Sequence, residues 1–285
     1  MNITDWLADG IEFLQKKGVP EAKANAEFIM AEVLGTGRGT MLTQASHELT
    51  TKQGRHFWTW IQERSKRVPL AYVLGHQPFL GLRIEVTHDC LIPRPETEEL
   101  VLECERLLKA SQIPSPKILE IGTGTGCVAI ALAQLLPAGI VFATDVSDKA
   151  LALAQKNAIA NHVSNRIRFV REDLFSEKQG LRGWADLIVS NPPYIPTRDL
   201  DSLDPEVQRE PRLALDGGKD GLNAIRAIVA NAPKLLKPGG FLALEIEARQ
   251  GAAVSQLMWA AGLSAVHLKK DAAGHERLAI GKMVE

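Results

Sequence analysis

Lys117-Ile118-Leu119-Glu120-Ile121-Gly122-Thr123-Gly124-Thr125-Gly126-Cys127-Val128-Ala129-Ile130-Ala131-Leu132-Ala133 is the stretch on which the fold turns. Its first five residues are a short apolar run with one acid, the pattern of a buried strand. Glycines at alternate positions end that run, and an apolar helix-forming segment starts at Cys127. Strand, glycine loop and helix in succession bring backbone N–H groups and a helix N-terminus to one place, which is how an α/β sheet holds a ligand. The dinucleotide fingerprint needs its third glycine three residues after the second. Here that position is Cys127, and the third glycine is Gly126. The spacing fits NAD poorly and suits a nucleoside without a pyrophosphate. The next apolar run, Ile140 to Thr144, ends at Asp145. An acid about twenty residues past the loop is placed to hold two ribose hydroxyls.

Downstream, Asp186-Leu187-Ile188-Val189-Ser190 reads as another buried strand and runs into Asn191-Pro192-Pro193-Tyr194. Neither proline can donate to a sheet ladder, so the strand must stop there and nearby carbonyls are free to face a ligand. Asn191 brings one side-chain acceptor and two donors, and Tyr194 an aromatic face and a hydroxyl. A planar NH2 group fits such a place. Alone, the tetrapeptide reads equally well as a proline turn at a strand end. Loop, ribose acid and Asn-Pro-Pro-Tyr in this order are a stronger signal.

Together these motifs resemble the class I S-adenosylmethionine-dependent methyltransferases, in the form that methylates a nitrogen conjugated to a π system. Further segments narrow the resemblance: Pro69 to Gly75, Leu91-Ile92-Pro93-Arg94-Pro95-Glu96-Thr97-Glu98, Glu210-Pro211, and Ala214 to Leu222. The set is similar to the release factor glutamine methyltransferase family (PrmC/HemK) over nearly the whole chain. The resemblance implies an α/β fold with a Rossmann-like, mostly parallel seven-stranded sheet carrying one late antiparallel strand. A small N-terminal helical domain and a β-hairpin linker would precede it. It implies S-adenosylmethionine held by Glu120, Gly122, Thr123, Gly124, Thr125, Gly126, Asp145, Asp173, Leu174 and Asn191, and chemistry at Asn191, Pro192, Pro193 and Tyr194. The implied partner is a peptide chain release factor, met at its Gly-Gly-Gln loop. Asp173 reads equally as a helix cap after the strand Ile167 to Val170.

Composition sets limits. The 33 basic and 34 acidic residues leave a net charge of −1, and aromatics are 5% of the chain. Neither a basic stripe nor a base-stacking surface is indicated, so no direct nucleic-acid partner is expected. Cys90, Cys104 and Cys127 are far apart and the seven histidines are scattered, so neither a metal site nor a disulfide framework is expected. The first residues lack the basic start and apolar core of a signal peptide, and no apolar run reaches about eighteen residues. A cytoplasmic location is expected, with no membrane partner.

The chain is expected to divide into residues 1–70, helical and partner-selecting; 71–90, a hairpin linker; and 91–285, the methyltransferase domain. Trp6, Ile11, Phe13 and Leu14 fall near one helix face, and Gly35 and Gly37 break a second helix. Phe57, Trp60 and Ile61 recur at helical spacing and read as core more readily than as a peptide groove. Residues 1–85 hold ten Lys or Arg and nine Asp or Glu, a near-neutral balance that suits a protein partner better than DNA. Turn residues at Leu74 to Pro78 and alternation at Leu82, Ile84 and Val86 mark the hairpin. Pro95 suits the first position of a helix, and Arg94 before it could pair with Glu96 or Glu98, or face the ligand. A helix is expected to end at Lys237 before a strand from Gly239 to Ile246. Other functions share these motifs: ribosomal-protein glutamine methylation, DNA adenine methylation, or a non-catalytic nucleoside-binding assembly factor.

Overall fold

The structure is a computed structural model that describes residues 1–172 and 181–284. Asp173 and Leu174 lie outside the described residues. Two compact units divide the chain: Met1–His76 with Asp204–Arg209, and Gln77–Leu203 with Glu210–Glu285.

The first unit is helical. α1 (Ile3–Lys16) opens with a capping box in which Asn2 Oδ1 accepts the Asp5 N–H at 2.9 Å and Asp5 Oδ2 accepts the Asn2 N–H at 3.1 Å. α2 (Ala22–Leu34) ends on Gly35, followed by α3 (Arg38–Thr43). α4 (Thr51–Ser65) starts on a second capping box, Thr50 with Gln53, and α5 (Leu70–Leu74) completes the set. Leu14, Ile29, Met30, Phe57 and Ile61 are fully buried between these helices, while Trp6, Ile11, Phe13 and Trp60 pack half-buried against them. The apolar periodicity of the sequence is thus spent on this core.

In the second unit, β1 (His76–Phe79) and β2 (Leu82–Glu85) form a hairpin. Its turn is Leu80-Gly81, both at positive φ, as a two-residue turn between twisted strands demands. Leu74 and Gly75, expected in that turn, instead close α5. α6 (Pro95–Ala110) begins at Pro95 as expected. Then come β3 (Lys117–Ile121), α7 (Cys127–Leu135), β4 (Ile140–Asp145), α8 (Asp148–Ala160), β5 (Ile167–Arg171) and β6 (Ala185–Ser190). α9 (Asn223–Leu235), β7 (Leu236–Glu245), α10 (Gly251–Ala260), β8 (Leu263–Lys270) and β9 (Glu276–Met283) complete the unit. The helix expected to end at Lys237 stops at Leu235, because β7 already pairs at Leu236 with Ala185.

The seven strands order as β5-β4-β3-β6-β7-β9-β8, with β9 antiparallel to both neighbours and the others parallel. Every residue of β6 is buried, as expected for a parallel strand covered on both faces. Leu100, Cys104, Leu108, Val128 and Leu132 cover one face, and Ile225, Ile228, Val254 and Met258 the other. β8 had no counterpart in the sequence reading. It is a mostly exposed edge strand, so its apolar pattern is weak.

Glu206 ties the segment Asp204–Arg209 into the helical unit. Its carboxylate receives Arg67 through two N–H groups at 2.6 Å each and the buried Arg64 at 2.8 Å. Arg64 also donates to Asn25 Oδ1 at 2.6 Å and to the Val68 carbonyl at 3.2 Å. Against the opposing effect of burial, these guanidinium hydrogen bonds hold Glu206 down at about 2. A depressed carboxylate contributes stability above its ordinary value of 4.5 and loses it as pH falls through its folded value. Replacing Glu206 by Gln should therefore lower the melting temperature at pH 7, at a cost of roughly 1–3 kcal/mol. Melting curves of the two proteins should converge between pH 4.5 and about 2.

Candidate active site

The parallel register sets the ends of β3, β4, β6 and β7 along one edge of the sheet. Ile121 lies opposite Thr144, Glu120 opposite Val189, and Ser190 opposite Leu244. The residues that follow, Gly122, Asp145, Asn191 and Glu245, emerge together. At Gly122 and Thr123 the chain turns back, and both N–H groups donate to the Thr144 carbonyl, at 2.8 and 2.9 Å. Asp145 then holds the loop: Oδ2 accepts the Gly124 N–H and Oδ1 the Ser147 N–H, each at 2.9 Å. Each oxygen keeps a second lone pair for another donor. Gly126 caps α7 at φ +82°, where a Cβ would stand 3.0 Å from that of Ala154. Gly126, at the cap, brings no side chain, and the Glu120 carboxyl accepts the Ala129 N–H in the first turn, so the positive end of α7 stands at the loop.

Glu120 sits beneath the loop, 3% exposed, and accepts the Thr123 hydroxyl at 2.6 Å. Burial pushes its carboxyl up to about 8, with the Asp145 charge adding to the shift.

After β6, Ser190 Oγ donates to the Ile121 carbonyl at 2.6 Å and locks the strand end to β3. Asn191 Nδ2 donates to Thr97 Oγ1 at 3.0 Å, and Thr97 Oγ1 donates to Glu245 Oε2 at 2.7 Å. The Tyr194 hydroxyl reaches Glu245 Oε1 at 3.3 Å. Glu245 is 1% exposed, and burial pushes it up to about 7; burial likewise raises the Tyr194 phenol. The turn is also braced from outside. Gln250 Nε2 donates to the carbonyls of Tyr194 and Gly221, at 3.0 and 3.2 Å. Gly221 approaches so closely that a Cβ there would stand 2.2 Å from the Tyr194 oxygen. Ile195 bridges to Asp216, whose Oδ1 accepts the Thr197 hydroxyl at 2.6 Å. Asp216 to Gly221 is therefore a fitted brace under the Asn-Pro-Pro-Tyr turn.

These elements enclose a cavity of about 330 Å³. Glu120, Gly122, Thr123, Gly124, Thr125, Asp145, Asn191 and Pro193 line it. Of the other residues expected at the site, Gly126 and Pro192 are buried and Tyr194 packs against the sheet core; none of the three lines the cavity. Arg94, read from sequence as able to face the ligand, lines it too, and the wall is completed by His88 to Pro93, Thr97, Val128, Val146, Ser147, Ala150, Glu172, Pro211, Leu213 and Ala214. Glu210 joins two of these segments. Its Oε2 accepts the Ile92 N–H at 2.9 Å, and its Oε1 pairs with Arg94. Arg94 thus pairs with Glu210 rather than with Glu96 or Glu98, and it lines the cavity as well. A buried glutamate 116 positions from its partner carries no local sequence signal.

Comparison with known proteins adds to this geometry. Residues 5–75 match the family model described as "PrmC N-terminal domain", and residues 102–203 match "Methyltransferase small domain". The "Release factor glutamine methyltransferase" of Moorella thermoacetica is 40% identical over 265 residues, spanning 92% of this chain and 91% of the relative. This chain belongs to the release factor glutamine methyltransferase family. The protein of the same description from Deinococcus radiodurans is 37% identical over 97% of both chains. A crystal structure of a methyltransferase from Pyrococcus furiosus shares the fold, with a TM-score of 0.53 at 23% identity, over 72% of this chain and 91% of that one.

The family's methyl donor is S-adenosylmethionine, and the cavity suits it. The lining combines polar groups at Glu120, Thr123 and Asp145 with an apolar stretch at Cys90, Leu91, Ile92 and Val128, the mixture that a nucleoside ligand requires. Glu120 adds a titration that can be checked without ligand. A carboxyl raised in the folded state binds a proton that the unfolded chain releases, so stability falls as pH rises from 4.5 towards about 8. The variant Glu120→Gln keeps an acceptor for Thr123 and removes that penalty. It should melt higher than the parent at pH 8, with the gap closing on acidification to pH 4.5.

Proposed function

We propose that this chain methylates the side-chain amide nitrogen of the glutamine in the Gly-Gly-Gln loop of a bacterial peptide chain release factor, in the cytoplasm. One observation carries this reading: Asn191 lines the same cavity as the glycine loop and Asp145, in a chain 40% identical to a relative described as a release factor glutamine methyltransferase. The three cysteines are free and buried, in keeping with a reducing compartment. Among the described residues no helix is long and apolar enough to cross a membrane.

An amide nitrogen is a poor nucleophile, because its lone pair is delocalised into the carbonyl. S-adenosylmethionine, when bound, would supply an electrophilic methyl group on a sulfonium and leave as the neutral thioether, while the amide nitrogen gives up one proton to water after transfer. The chain's own part is to hold and polarise the nitrogen. Asn191 Oδ1 accepts one amide N–H and a carbonyl of the Asn191–Tyr194 turn the other, which fixes the approach and favours positive charge developing on nitrogen. The β6–β7 ladder ends at Ser190 and Leu244, which supports a free carbonyl in this turn. Tyr194 serves by holding the turn through Glu245. Glu120, Asp145 and the loop Gly122 to Thr125 hold the donor, with Asp145 on the ribose hydroxyls. The helical unit, Met1–His76 with Asp204–Arg209, selects the release factor.

Two variants separate binding from chemistry. In Asn191→Ala, single-turnover transfer to release factor should fall about a hundredfold, with donor affinity little changed. In Asp145→Ala, donor affinity measured by calorimetry should fall roughly ten- to hundredfold. An Asn191→Ala protein that transfers at the parent rate would leave the tetrapeptide a proline turn and nothing more. Duplex DNA and ribosomal protein, offered beside release factor, should remain unlabelled.

Partner selection has its own test. A chain beginning at Gln77 should bind S-adenosylmethionine with near-parental affinity and methylate intact release factor poorly. Full activity in that shortened chain would make the helices structural only.

A further inference from the structure

Asn191 serves an incoming amide only if its oxygen, and not its NH2 group, faces the cavity. A primary amide presents both groups within the same envelope, so its surroundings must choose between them. The choice can be traced through Thr97. This residue stands in the first turn of α6, is 2% exposed, and lines the cavity beside Asn191.

A threonine hydroxyl carries one proton. At Thr97 that proton goes to Glu245 Oε2, 2.7 Å away. While Glu245 is ionised the Thr97 proton stays committed to it, and Thr97 Oγ1 can only accept from its other neighbour. The Asn191 group 3.0 Å from it must then be the NH2, which leaves Oδ1 for the cavity. Glu245 is the origin of this direction. Its second oxygen already receives the Tyr194 hydroxyl, so the carboxylate orders both ends of the Asn191–Tyr194 turn. It stands at the last position of β7, where the ladder with β6 sets it beside Asn191.

We propose that Thr97, anchored by Glu245, is a positioning residue that sets the direction of the Asn191 side-chain amide. This rests on the reading that Asn191 receives the substrate amide. Without the Thr97 hydroxyl, the Asn191 NH2 loses its buried acceptor, and turning it to the cavity becomes the favoured orientation, in which an NH2 meets an NH2. Without an acceptor at Glu245, the Thr97 proton is released to Asn191 Oδ1 and favours the wrong orientation outright.

The test is single-turnover methyl transfer to release factor at saturating S-adenosylmethionine, with Asn191→Ala run alongside. Thr97→Val nearly keeps the volume and removes the hydroxyl. It should slow transfer about tenfold or more, while Thr97→Ser stays within about threefold of the parent. Glu245→Met should be as slow as Thr97→Val. Melting temperature and donor affinity, measured on each variant, report any loss of fold separately. Placed in the Asn191→Ala background, Thr97→Val should cost nothing further, because a residue that acts through Asn191 has nothing left to direct. A Thr97→Val protein at the parent rate beside a slow Asn191→Ala would overturn the proposal and leave the function standing. So would an equal cost of Thr97→Val in both backgrounds. Parent-rate transfer by Asn191→Ala would instead remove the reading beneath the proposal, and the proposal with it.

Discussion

A parallel ladder has one consequence that organises this molecule: its strands all end on the same side. β3 lies between β4 and β6, at the place where the strand order reverses, and crossover connections leave a crevice there. The register fixes the level of each end to within a residue. The glycine loop after β3, Asp145 after β4, Asn191 after β6 and Glu245 at the end of β7 meet because four strands stop together. Side chains then pin the edge, with Ser190 tied to the Ile121 carbonyl and the Gly122 and Thr123 amides to that of Thr144. A slip of one residue in one ladder would turn the groups of that strand to the opposite face and break the set.

Two buried carboxyls lie along that edge, and their surroundings divide the labour. Glu120 faces the loop and the Asp145 charge, whereas Glu245 faces a threonine and a tyrosine hydroxyl. Placing two acids under a cavity costs stability, since burial opposes the charge of each. Apolar residues of similar volume would pack at least as well. What an apolar residue could not do is give direction to a hydrogen bond. A carboxylate oxygen accepts, and so tells each neighbouring hydroxyl where to send its proton.

Much of this edge was legible in the sequence because it is built from local signals. The glycine loop, the acid at Asp145 and the proline stop at Asn191 are each read within a few residues, and the structure assembles Glu120, Gly122 to Thr125, Asp145 and Asn191 around one cavity. Other parts were hidden by distance. Glu210 acts on Ile92 and Arg94, and Glu245 on Thr97 and Tyr194; their separations in sequence run from 51 to 148 positions. No periodicity announces such pairs. β8 was missed because an exposed edge strand has little apolar contrast, and the hairpin turn was misplaced because Leu80 takes a conformation usually left to glycine or asparagine. Asp216 to Gly221 had no assigned role in sequence, and Gly221 proves to admit the Tyr194 carbonyl.

The six residues Asp204–Arg209 group with the helical unit although both flanks belong to the sheet unit. This has a consequence for inheritance. A recognition module that occupied a single continuous stretch could be exchanged between genes by one recombination event. Here an exchange of the first 76 residues alone would import new helices and leave Glu206 behind, parted from its partners Arg64 and Arg67. The two units of this chain are therefore expected to be inherited together, with changes at Arg64 and Arg67 matched by changes at Glu206.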